Sequence, residues 1–550
     1  MKSPISNLKF LPLVLLLVSS AFAADIVPDD AQLAQLAVQD RGRKKPFTTL
    51  AQESLLTLTG KSDYQPTEVS PKQNAATVLI DLWMQPDKWE RKPLIQVSYQ
   101  PLAVGVMGLP AKQKLFSYRE VADSVPLRTL LTDLQRQRMR TPNVELTPLQ
   151  KQAQQLAERV RLYESWAHGQ VALVPHPSKA DGVWLPIQDI GTYYNDASGA
   201  AAQNAFVAAR EAWLKNDTTT FDTAVGKLSK QLAALSPGVY PTPDELSFER
   251  FYQHFHPFRW AWIAYALAAI VLGVTSGWLE KPGYKLGWIL ILLGFGFQIF
   301  GFYSRIAIAG RPPVTNMYET VVWLAFGTVL FAIILEAIYR CRYFLLAAAP
   351  VAVLSLVLAD ALPTVLDSSI NPLVPVLRNN FWLIIHVLTI TLSYAAFALA
   401  MAVAHIVLGK ILANPKRNDL APLHNYLYRT LQVGVLLLAT GTILGGVWAN
   451  YSWGRFWDWD PKETWALIAL LCYLLVLHGR IAGWWSGFGL AVGSVVCFLA
   501  VLMAWYGVNF VLGKGLHSYG FGTGGYSYAL AFVIAELIFV ALAIFKKRAA

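Results

Sequence analysis

From Trp260 to the C-terminus the chain is a succession of apolar runs long enough to cross a bilayer, separated by short polar stretches. Residues 24 to about 255 read differently. There polar and apolar positions are mixed and Pro-Thr turns recur. Glu145 to Tyr163 and Ala200 to Lys215 carry the apolar spacing of amphipathic helices, and Pro241 to Phe258 leads into the first long run. The runs predict membrane helices at roughly 260–279, 286–303, 320–338, 343–362, 381–409, 431–449, 464–480, 488–507 and 527–545. The expected fold is a polytopic α-helical membrane protein with about nine transmembrane helices, preceded by a signal peptide and an exported, mainly α-helical soluble domain. Its parts would be 1–23 (signal), 24–255 (soluble domain) and 256–550 (membrane domain).

The orientation follows from two separate features. Lys2 and Lys9 precede the apolar stretch Phe10 to Val18, and Ala21-Phe22-Ala23 supplies a small-x-small cleavage signal, so the soluble domain is expected outside. An uncleaved segment would anchor the chain with the same topology. Starting outside, the inner loops then carry Lys281, Lys285, Arg340, Arg342, Lys410, Lys416, Arg417, Arg480 and the terminal Lys546, Lys547 and Arg548. The outer loops hold fewer: Arg305, Arg311, Arg378, Arg455, Lys462 and Lys514. This bias agrees with the positive-inside rule and with an exported soluble domain, and the expected location is the inner (cytoplasmic) membrane with the soluble domain on the periplasmic side.

Composition changes the picture little. A hydrophobic content of 55% with 15% charged residues fits a membrane protein. The formal charge of +11 is explained by the loops, and no basic face with interleaved aromatics suggests nucleic acid. Cys341, Cys472 and Cys497 all lie in the membrane half without a Cys-x-x-Cys pair, which argues against thiol oxidoreductase chemistry.

The candidate chemistry gathers on the expected outer face. Residues 448–465 hold five tryptophans, Trp448, Trp453, Trp457, Trp459 and Trp465, where an even spread of the chain's 19 would place fewer than one. Rings interleaved with Arg455, Asp458, Asp460, Lys462 and Glu463 suit a large flat ligand with charged edges, such as haem. His386 lies near the outer end of its helix among Leu and Ile, where an ionisable group is a functional candidate by default. His517 follows the eighth span on an outer loop. Imidazoles before and after the tryptophans would approach a porphyrin from both faces and hold its iron six-coordinate. Each is alternatively an interfacial or loop histidine. His478 and His405 lie towards the inner side, about 22 Å from Glu463 and about 28 Å from His386 at a rise of ~1.5 Å per residue, so neither reaches the same iron. The carboxylates are read as salt-bridge and helix-capping groups, and Arg455 or Lys462 as partners for ligand carboxylates.

Trp453-Gly-x-x-Trp457-x-Trp459-Asp460-x-Lys462-Glu463 resembles the WWD signature of haem-handling proteins in bacterial and plastid cytochrome c assembly, most closely the CcsA (ResC) type of the System II pathway. Gly310 to Glu319, Ile385-His386 with Ser393-Tyr394, and Leu516 to Gly520 support it. Asp40-Arg-Gly-Arg-Lys-Lys-Pro and Phe248 to Trp260 are similar to segments of fused assembly proteins. The resemblance implies that His386 and His517 ligate haem b externally, beside Trp448, Trp453, Trp457, Trp459 and Asp460. It assigns His478 to a possible inner haem site. It also implies a subunit of a cytochrome c synthase that presents haem to the Cys-x-x-Cys-His motif of an exported apocytochrome c. The multi-span CcsB (ResB) half is absent from this sequence, so a separate CcsB-like membrane protein is expected as partner, with thiol-reducing proteins supplying reduced apocytochrome. A haem transporter without a role in ligation, and a non-enzymatic assembly scaffold, are the alternatives.

Overall fold

The computed structural model describes residues 27–67, 70–141, 146–277, 279–363, 365–372, 381–417, 419–512 and 525–549. Residues 1–23, the expected signal peptide, and His517 lie outside them.

The N-terminal region opens with α1 (Asp30–Ala34) and a hairpin of β1 (Ala37–Asp40) and β2 (Arg43–Pro46), followed by α2 (Phe47–Thr59), α3 (Ala75–Met84), α4 (Pro86–Trp89), α5 (Tyr118–Ala122), α6 (Val125–Arg140), α7 (Pro148–Ala167), α8 (Ala197–Leu214) and α9 (Thr218–Leu235). The helices expected over 145–163 and 200–215 are thus present, displaced by a few residues. Three further hairpins join strands of only two to four residues, too short to leave an alternating pattern. Leu55, Val78, Trp89, Phe116 and Trp166 belong to this region's own hydrophobic cluster, separate from that of the membrane helices.

The segment 241–258, expected to lead into the membrane, forms a separate helix, α10 (Pro243–Phe255). Thr242 and Glu245 form a capping box at its start, and His256 at φ 47° closes it just before Pro257 begins α11 (Pro257–Val274). A proline can open a helix but disfavours helical backbone in the residue before it, which explains the break. The remaining helices are α12 (Glu280–Ala309), α13 (Met317–Tyr339), α14 (Tyr343–Ala361), α15 (Phe381–Ala413), α16 (Ala421–Trp453), α17 (Pro461–Ile481), α18 (Gly487–Leu502) and α19 (Tyr526–Arg548). Counting α10 and α11 together, nine helices among the described residues are long and apolar enough to cross a membrane, matching the nine predicted runs.

α15 and α16 have 33 residues each, about 50 Å at ~1.5 Å per residue, so they project beyond a ~30 Å hydrocarbon layer. They pack on each other through glycines. A Cβ on Gly434 would stand 2.5 Å from the Phe397 ring, and one on Gly441 would stand 2.9 Å from the backbone of Ile390. Small residues allow such approach where no hydrophobic force drives helices together in lipid. Phe397 also stacks on Tyr473 of α17 at 3.8 Å, tying a third helix into the pair.

Arg305, expected on a loop, is inside α12 and only 1% exposed. Glu319 of α13 bonds it at 2.7 Å, while Tyr252 of α10 and the Ser368 carbonyl take its other nitrogen at 3.2 and 2.9 Å. Glu319 also holds Arg311 at 3.2 Å. Such burial is tolerable only because every charge is paired and hydrogen-bonded.

Candidate functional site

A cavity of about 630 Å³ opens at the end of the bundle nearest the N-terminal region. Seven pieces of chain build it: the 308–320 segment, residues 370–372, the first turns of α15, the last turns of α16, the loop residues Phe456 and Trp457, the start of α17, and a π-helical stretch, Met503–Leu512, that prolongs α18. The β1–β2 turn adds Gly42 and Arg43.

His386 lies in this wall, half-buried. Its Nδ1 is 2.7 Å from the Gly441 carbonyl oxygen. A carbonyl only accepts, so Nδ1 carries the proton and the lone pair of the neutral ring is on Nε2. Metal-binding histidines are oriented in this way. Gly445 makes the position possible, since a Cβ there would stand 2.6 Å from His386 Cε1.

Part of the tryptophan-rich segment is helix. Trp448 and Trp453 belong to the last turns of α16, edge to face at 4.6 Å, and Gly454 at φ 71° ends the helix. Phe456 then folds back onto Gly446, where a Cβ would meet its ring at 2.4 Å. Arg455 lies over Trp453 at 5.2 Å and pairs with Glu463 at 3.1 Å and Asp458 at 3.4 Å. The second Glu463 oxygen accepts the backbone N–H groups of Asp458 and Asp460 at 2.8 and 3.2 Å. Asp460 in turn accepts the Lys462 N–H at 2.9 Å and caps α17 in a capping box with Glu463. The carboxylates are therefore occupied in shaping the loop, as their positions suggested.

Trp448, Trp457, Lys462 and Glu463 line the cavity with His386. Trp453 stands behind Trp448, Trp459 is 69% exposed at φ 57°, and Asp460 is buried under the helix start, so these three lie outside the wall. His478 lies at the far end of α17, exposed, with Nδ1 donating to the Leu474 carbonyl at 2.7 Å. His405 is fixed between helices, its Nε2 2.9 Å from Glu536 of α19 and its ring stacked on Phe539 at 4.8 Å. Neither is near the cavity wall. Sequence reasoning missed Trp505 and Asn509 of the π-helical stretch, Asn371, and the Gly42–Arg43 turn. The π turn leaves no local signal. The Gly-Arg turn had one, its similarity to a segment of fused assembly proteins, but no site was inferred from it.

Residues 314–517 match the family described as cytochrome C assembly protein. The chain is 37% identical over 286 residues to the cytochrome c biogenesis protein CcsA of Guillardia theta, covering 46% of this chain and 93% of that protein. It is 35% identical over 251 residues to CcsA of Chlorella vulgaris, covering 39% of this chain and 79% of that one. The chain belongs to the CcsA family of cytochrome c biogenesis proteins. It is also 28% identical over 507 residues to protein NrfI of Wolinella succinogenes, a match that takes in 89% of this chain but only 54% of NrfI. The chain thus spans about half the length of that relative, and the likeness reaches the N-terminal region that the CcsA matches leave out. As a CcsA-family member it is a multi-pass membrane protein of cytochrome c assembly, and most of the cavity wall, from Val314 to Asn509, lies within the family match, with Gly42, Arg43 and residues 308–312 outside it.

Proposed function

We propose that the cavity receives haem b on the periplasmic side of the inner membrane and presents it to exported apocytochrome c, as part of a System II cytochrome c synthase completed by a CcsB (ResB)-like membrane protein. In this reading residues 24–255 form the periplasmic domain and 256–550 the haem-handling domain. His386 and His517 are the axial ligands. The observation that carries the reading is His386, held in the wall with its Nε2 lone pair set by the bond to Gly441, beside Trp448 and Trp457.

The fit is chemical as well as steric. Cavities that hold cofactors measure about 300–1,000 Å³ and are mainly apolar with a few placed polar groups. Of the cations in this wall, Arg43 and Arg311 are paired with Glu249 and Glu319, whereas Lys462 makes no ion pair among the described residues. Lys462 is thus the group to meet a propionate. Thioether formation adds a cysteine S–H across a vinyl C=C: a C–S bond forms and the hydrogen goes to the other carbon, with no net oxidation. Holding the vinyls against two thiols supplies the effective concentration such an addition needs. His478, at the opposite end of α17, is the candidate for receiving haem from the inner side.

Spectra of the protein purified with its partner test the reading. His386→Ala and His517→Ala are each expected to lose the bis-histidine haem signature. Unchanged spectra in both would overturn the ligand assignment. Haem bound without thioether product, given reduced apocytochrome, would instead support a transporter, and a haem-free wild type would support a scaffold.

A further inference from the structure

The membrane bundle does not enclose the cavity alone. Gly42 and Arg43, from the turn between β1 and β2, stand in the wall beside Gly310, Arg311 and Asn371. Both central residues of the turn have positive φ, Arg41 at 51° and Gly42 at 83°, as the tightest hairpin loops require. Glycine adopts this freely, whereas an arginine there is held by its surroundings.

Those surroundings form a ring of contacts. Arg43 makes two 2.8 Å bonds to Glu249, a buried carboxylate on α10. Arg41 reaches Asn371 Oδ1 at 3.5 Å, and the Asn371 carbonyl accepts from Arg311 at 2.7 Å. Arg311 shares Glu319 with Arg305, which bonds Tyr252, three residues beyond Glu249 on the same helix. The ring returns to α10. It joins the turn, the cavity wall and the bundle's buried charges.

We infer that the 41–43 turn is a ligand-contacting gate carried by the N-terminal region and latched by Arg43–Glu249. Its ligand class is a flat tetrapyrrole with carboxylates on its rim. The inference rests on the haem reading above. A Cβ added at Gly42 meets no heavy atom within 4 Å, so the space at the cavity edge is open there, while the positive φ makes the choice of side chain matter for the turn itself.

The test uses the full chain in detergent, titrated with reduced haem and with metal-free protoporphyrin IX, which needs no axial ligand. Gly42→Asn keeps the turn, since asparagine tolerates the left-handed region, and its loss of affinity for both porphyrins is expected to stay well below that of Gly42→Trp. Gly42→Trp is expected to weaken both by at least about tenfold, and Glu249→Gln to speed release of both by roughly tenfold. His386→Ala should weaken haem alone. If Gly42→Trp and Glu249→Gln bind and release both porphyrins as wild type does while His386→Ala loses haem, the gate is overturned and the haem cavity stands. If wild type binds neither, or His386→Ala binds haem undiminished, both proposals fall.

Discussion

The N-terminal region and the membrane bundle begin their helices differently. In the first, α1, α3 and α5 to α10 each start on a side-chain oxygen, from Asp29, Asn74, Ser117, Ser124, Thr147, Asp196, Asp217 and Thr242. In the bundle α11, α12, α14, α16 and α19 start without one. Two of the three capped exceptions, α13 on Asn316 and α17 on Asp460, begin at the cavity. In water a polar side chain costs little, and its presence says little about function. Among membrane helices each one needs a partner: Gln298 with Tyr265, Glu336 with Tyr284, Arg305 with Glu319, His405 with Glu536.

Breaking one pair in each region sharpens this contrast. Glu319→Ala strands Arg305 in the bundle and should cost roughly 3–5 kcal/mol, read as a lowered melting temperature in detergent. Asp133→Ala removes an exposed pair with Arg136 and should change stability by less than about 1 kcal/mol. Equal losses would show that the two regions do not differ in this way.

Glycine packing gives the next effect. Gly445→Val drives a side chain into His386 and should cost about 1–3 kcal/mol, with any haem signature from His386 shifted or lost. A variant with wild-type stability and spectrum would remove Gly445 from the design. In the N-terminal region, Thr147→Ala removes one half of a capping box and should cost about 1 kcal/mol, seen as faster amide exchange confined to the first turn of α7.

The smallest effect is a pH dependence. The Asp217 carboxyl is held below its ordinary value by the Thr220 hydroxyl at 2.7 Å and then by the Thr220 N–H. A depressed carboxylate contributes stability that is complete above about pH 4, the ordinary range, and is lost as pH falls through the lower folded value. Amide protection at the start of α9 should fall there in the wild type and be pH-independent in Asp217→Asn.

Legibility followed the same division. His386 was legible because a histidine among Leu and Ile near a membrane has few ordinary explanations. The capping role of Asp460 was legible because capping is local. Arg305 was misplaced because a charge just past the end of an apolar run reads as solvent-facing, and only the approach of α10 and α13 buries it. Gly42 and Arg43 were noticed as a familiar segment yet given no site, since in a water-exposed domain an Arg-Gly turn is unremarkable.

The sequence by itself determined the nine spans, the tryptophan-rich segment between two of them and the candidacy of His386, because length and hydropathy answer to the solvent around each stretch. Only the tertiary structure decided which side chains share one cavity. It set Trp448 and Trp457 in the wall with Trp453 and Trp459 behind or outside it, and it brought Arg41 to Asn371 across 330 positions of chain. No local pattern encodes such a meeting, because it depends on how glycine-faced helices pack and on which buried charges find partners.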